Sequence, residues 1–102
     1  MVRFLVIYEQ PADPDAFDRH YFDVHVPLAK QLPGLRSYTC SRGVRSVRGD
    51  QPYLIGQLEW DDMESLQRDF GSDLGRQCSE DVARLAELCG GVRSMIFESD
   101  QL

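Results

Sequence analysis

Between Val2 and Glu9 two interleaved sets of residues run along the chain. Val2, Phe4, Val6 and Tyr8 are all apolar, and Arg3, Leu5, Ile7 and Glu9 are apolar at their centre. A period of two is that of a strand, and a strand apolar on both sides over its middle is covered on both. QPADPD ends the run with prolines and aspartates that favour a turn and a helix start. From about Asp15 to Leu32 the apolar residues Phe17, Tyr21, Val24, Leu28 and Leu32 recur at the helical period. Pro27 cannot donate to the carbonyl of Asp23, so this helix is expected to bend or loosen there, and Pro33 with Gly34 stops it. LRSYTCSRGVRSV and PYLIGQLEW read as a hairpin turning around Arg48 to Gln51. Asp61 or Asp62 caps a helix from Met63, with Leu66 and Phe70 on its buried face and Gly71 interrupting it. A further helix carries Leu74, Cys78, Val82, Leu85 and Leu88 or Cys89; CGG ends it, and VRSMIFE is the last strand.

The order β-α-β-β-α-β is the ferredoxin-like, α+β arrangement: four antiparallel strands with helices on one face. The first strand has too little polar surface to leave its other face wet. The same sheet of a second copy is the simplest cover, which predicts a homodimer with a twofold axis.

Composition narrows the function classes. A chain of 102 residues is expected to form one domain spanning residues 1–102. Its formal charge of -6 opposes a nucleic-acid partner, which calls for a basic face, and Arg42, Arg45 and Arg48 read as a solvated strand end. No apolar run is long enough for a membrane span, and FLVIY is too short for a signal-peptide core, so a cytoplasmic protein is expected. Cys40, Cys78 and Cys89 are odd in number, widely spaced and without a CxxC, which argues for reduced thiols over a disulfide or zinc framework.

One residue on the first helix does not fit its surroundings. His25 falls on the apolar stripe, one turn past Tyr21 and beside Leu28 and Ala29. An imidazole on an apolar wall is disfavoured as a cation, so it stands ready to accept a proton near neutral pH. The plainer reading is a ring that bonds a carbonyl or Tyr21 and fills space. Tyr21 is placed to steady a substrate oxygen or orient the imidazole. Tyr8, Tyr38, Tyr53 and Trp60, all on strands, are candidates to wall an apolar pocket. Metal binding is not expected: His20 and His25 are five residues apart, about 140° round an α-helix, and His20 with Asp23 makes an incomplete, solvated site. No basic cluster accompanies His25 as haem propionates would require. No dinucleotide fingerprint, phosphate-cradling loop or Ser-His-Asp order is present, so no organic cofactor is expected.

Phe17, Tyr21, His25, Pro27, Leu28, Leu32, Pro33, Gly34, Leu35 and Tyr38 fit the pattern F-x3-Y-x3-H-x-P-L-x3-L-P-G-L-x2-Y. This resembles the EthD family, named for ethyl tert-butyl ether degradation, within the dimeric α+β barrel superfamily. Asp73 and Glu59 depart from the family's usual residues. The resemblance implies a dimeric α+β barrel in which two ferredoxin-like sheets face each other, with a small cavity between each protomer's helices and its sheet. It also implies an oxidoreductase of the cofactor-free oxygenase type acting on a small apolar or aromatic molecule. His25 and Tyr21 would be catalytic, and Tyr8, Tyr38 and Trp60 would bind substrate. A lactone-type isomerase and a non-catalytic carrier dimer are the alternatives.

Overall fold

The computed structural model describes residues 1–102. Strand β1 (Val2–Tyr8) pairs antiparallel with β3 (Leu54–Trp60) on one side and β4 (Val92–Glu98) on the other, and β2 (Ser37–Cys40) pairs antiparallel with β3. The order β2-β3-β1-β4 forms one four-stranded sheet with the ferredoxin-like succession of elements. Helices α3 (Met63–Phe70) and α4 (Asp73–Glu87) join β3 to β4. Asp62, rather than Asp61, caps α3 by accepting from the Ser65 N–H, and Ser72 caps α4 through Gly75. The backbone bond from Ser65 holds the Asp62 carboxyl below its usual range.

Register decides which side chains meet the helices. Val2, Phe4, Val6 and Tyr8 of β1 line up with Trp60, Leu58, Gly56 and Leu54 of β3, and these face the helical layer. Two apolar clusters fill that layer. One gathers Val2, Ala29, Leu32, Leu58, Trp60 and Leu66, and the other Val6, Tyr8, Phe17, Tyr21, Leu54 and Leu85.

Three expectations are corrected. The second strand is shorter than LRSYTCSRGVRSV suggested: beyond Cys40 the Ser41 hydroxyl accepts the Ile55 N–H at 2.9 Å, and Gly43 turns the chain away at φ +54°. The helix expected from Asp15 to Leu32 comes in three pieces. These are α1 (Pro14–His20), a π-helical turn (Tyr21–His25) and α2 (Val26–Ala29). In the π-turn the Val26 N–H reaches the carbonyl of Tyr21, five residues back. Pro27 follows at once, and without an N–H it cannot restore the tighter α-helical pairing.

The third correction concerns assembly. The dimeric α+β barrel, with two sheets facing, is overturned by the sheet itself, which is single and open. Its edges β2 and β4 are separated by two strands and pair with nothing further. The face away from the helices is uncovered, with Met95 and Phe97 exposed on it. No helix is long and apolar enough to cross a membrane.

Candidate active site

A cavity of about 230 Å³ lies where the two apolar clusters meet. Its wall is mostly hydrophobic and takes in five of the six residues singled out above: Tyr8, Tyr21, His25, Tyr38 and Trp60. Tyr53 lies outside it, its hydroxyl donating to Asp18 at 2.9 Å. The strand side chains reach the cavity because each falls on the helix-facing parity of its strand, opposite a partner that does the same.

The polar groups of the wall form two sets. On the helical side His25, 6 % exposed, directs Nδ1 to Oδ2 of Asp81 at 2.9 Å. The other oxygen of Asp81 is bonded to Nε2 of His20 at 2.7 Å. An ionised carboxylate has only acceptors to offer, so Nδ1 of His25 carries the hydrogen and Nε2 holds the free lone pair. The His25 ring lies nearly parallel to that of Tyr21, with centroids 5.8 Å apart. Burial lowers its affinity for a proton, and the bond to Asp81 offsets only part of that effect. A neutral, fixed imidazole with one open nitrogen results.

On the sheet side the hydroxyls of Tyr21 and Tyr38 are 2.8 Å apart. One proton is spent within the pair, and the other remains to be donated. Burial keeps all three cavity tyrosines protonated: Tyr38 is pushed up to about 12, and Tyr8 and Tyr21 rise further. The Tyr21 hydroxyl reaches the sheet over Gly56, where a Cβ would stand only 3.1 Å from it. The arrangement can thus take a proton at one point of an apolar hollow and donate hydrogen bonds to oxygen at another.

Trp60 offers the cavity only its rings. Its Nε1 donates to Oδ2 of Asp69 at 2.7 Å, and the same oxygen accepts the Gly34 N–H at 2.9 Å. This explains the P-G-L part of the sequence pattern: a Cβ on Gly34 would lie 3.0 Å from that oxygen and 3.1 Å from the indole.

Asp81 and His20 escaped the sequence reading, and so did Phe70, expected to be ordinary core but part of the cavity wall. His20 was expected to be solvated and unable to share a partner with His25. The π-turn reverses that, because a turn closed by an i→i+5 bond brings residues five apart back into line. For Asp81 a signal did exist. It stands three residues after Cys78 and four before Leu85, on the buried stripe of α4, where it is 2 % exposed.

Residues 9–88 match the family model described as the EthD domain. A Rhodococcus erythropolis protein, described as an uncharacterized 11.0 kDa protein of the thcB-thcC intergenic region, is 35% identical, covering 99% of this chain and 96% of its own length. The crystal structure of an ethyl tert-butyl ether degradation family protein from Bacillus halodurans is 38% identical, with a TM-score of 0.85 and coverage of 98% of this chain and 99% of the other. Two more distant structures share the fold alone. SnoaB, a cofactor-independent oxygenase from Streptomyces nogalater, is 20% identical at a TM-score of 0.68, covering 99% and 94% of the two chains. A dimeric ferredoxin-like protein of unknown function from Thermobifida fusca is 12% identical at 0.69, covering 94% and 88%.

Proposed function

We propose, since this chain belongs to the EthD family, that it is a small enzyme of proton abstraction. Its substrate is a compact, mainly apolar ring compound bearing at least one oxygen. His25 takes a proton from carbon through Nε2, Asp81 holds the imidazole in the required tautomer, and the Tyr21–Tyr38 pair donates to the oxygen on which charge develops. Tyr8 and Trp60 shape the apolar wall. The observation that carries this reading is the buried bond from His25 Nδ1 to Asp81, which leaves the ring's other nitrogen free in a largely hydrophobic cavity. Attack of dioxygen on the resulting carbanion would make the enzyme an oxidoreductase without an organic cofactor, in line with what is said of SnoaB. Return of the proton at another carbon would make it an isomerase.

Proton removal is tested before any product is known. The protein is incubated in heavy water with a panel of hydroxylated one- and two-ring aromatics and cyclic 1,3-diketones, and loss of carbon-bound hydrogen is read by NMR. Exchange above the buffer rate, lowered about 100-fold or more by His25→Gln, is expected. Panel members that bind without exchanging would instead mark a carrier.

The uncovered sheet face supports a homodimer as the working form. Met95 and Phe97 of β4 are exposed there beside Leu5 of β1, and a second copy packed on them would take them out of water.

A further inference from the structure

We infer that His20 belongs to the site as its solvent-side half: it releases a proton to water when His25 takes one from a guest in the cavity. The inference rests on the proton-abstraction reading above. One carboxylate serves two imidazoles from opposite oxygens, at 2.7 Å to His20 and 2.9 Å to His25. Both nitrogens facing it must carry hydrogen, so each ring gains or loses its proton at the far nitrogen, Nδ1 in His20 and Nε2 in His25. Their surroundings differ in the useful direction. The His25 side chain is 7% exposed and lines the cavity, whereas that of His20 is 23% exposed, lies outside the lining and meets water. The other ionisable groups that line the cavity are Cys78 on α4, Tyr21 on the π-turn, and Tyr8 and Tyr38 on the sheet, and Asp23, Glu80 and Arg84 stand on the same helical elements as the cluster. Burial favours the neutral form of the four that line the cavity. Asp81 is the anion that the two rings share.

A single carboxylate neutralises a single imidazolium. When a C–H bond of the guest breaks, the proton goes to Nε2 of His25 and the electron pair stays on the guest as an enolate. If His20 is cationic as that step begins, two cations would then face one anion. Loss of the Nδ1 proton from His20 to water restores the balance, and neither ring gives up its bond to Asp81. No proton crosses the carboxylate; only the charge changes sides. When His25 passes its proton back to the guest, His20 recovers one from solvent. A charge on His20 opposes protonation of His25, so removing His20 makes His25 easier to protonate.

The test is a histidine titration by proton–carbon NMR on the full chain, unmodified and as His20→Gln. In the unmodified protein the His25 curve is expected to show two inflections, its own and that of His20. In H20Q a single inflection is expected, with its midpoint raised, since the charge that opposed protonation of His25 is gone. A one-site curve for His25 in the unmodified protein, or a midpoint that H20Q leaves in place, overturns the proposal. Should H20Q fold poorly, the unmodified curve decides alone. The deuterium-exchange assay separates the two claims. Exchange that persists beside an uncoupled His25 curve rejects the role of His20 only, while absence of exchange in the unmodified protein rejects the reaction.

Discussion

Protonating a ring that is 6 % exposed costs free energy that the unfolded chain does not spend. Burial sets His25 below the ordinary imidazole value of 6.5, so between that value and the folded one the unfolded state binds more protons. Stability therefore rises with pH across this interval, is complete above about 6.5, and falls as the solution is acidified below it. Urea denaturation on either side of 6.5 checks the sign: His25→Gln is expected to flatten the dependence, and an unchanged slope would reject this account of the ring. Half of the pair was legible in the sequence, because an imidazole on an apolar stripe is conspicuous. Asp81 was legible only as a residue on the buried stripe of α4 and not as a partner of His25, since 56 residues separate the two. Periodicity reports which face a residue occupies but not which distant residue that face meets.

Among the elements, the strands were legible in kind from their period of two, but both parities of β1 are apolar at its centre, so the one that meets the helices was not, and β2 is shorter than expected. The helices were legible in kind but not in pitch. A bend or loosening at Pro27 was expected, but not its form: the backbone widens into a π-turn at Tyr21–His25 and so turns a misaligned histidine pair into an aligned one. The P-G-L run had no visible purpose until Asp69 was located. From α3, 2 % exposed, it fastens the end of the first helical segment to β3 through the Gly34 N–H and the Trp60 indole. Asp69→Ala would strand both donors in the interior. A loss of roughly 3 kcal/mol is expected, since each orphaned buried group costs about 1–3 kcal/mol, and it would appear as a lower urea midpoint at unchanged m-value.

For the molecule as a whole, the outer face of the sheet is divided. Leu5, Ile7, Ile55, Met95 and Phe97 make an apolar patch over β4, β1 and one end of β3, flanked by Arg3 and Arg93, while Gln57, Glu59, Ser37 and Thr39 make the β2 side polar. This unevenness was legible only as the apolar centre of β1. The barrel of two facing sheets was what the family resemblance implied, and the single open sheet, with β2 and β4 as unpaired edges, contradicts it. A homodimer through the apolar half is expected to elute at twice the 11.7 kDa chain mass. Met95→Glu, placing a charge opposite Leu5 in the middle of that contact, is expected to shift elution to the single-chain position. Elution of the unmodified protein as a monomer at micromolar concentration would reject the dimer.

Trp60 is the chain's one indole. Its ring borders the hollow, its nitrogen is tied to a carboxylate behind it, and water has no access to it. Its ultraviolet emission is thus a lamp set in the wall of the chamber. Whatever settles in front of it will dim or recolour that light, and an arriving guest can be watched without dye, tag or assay chemistry.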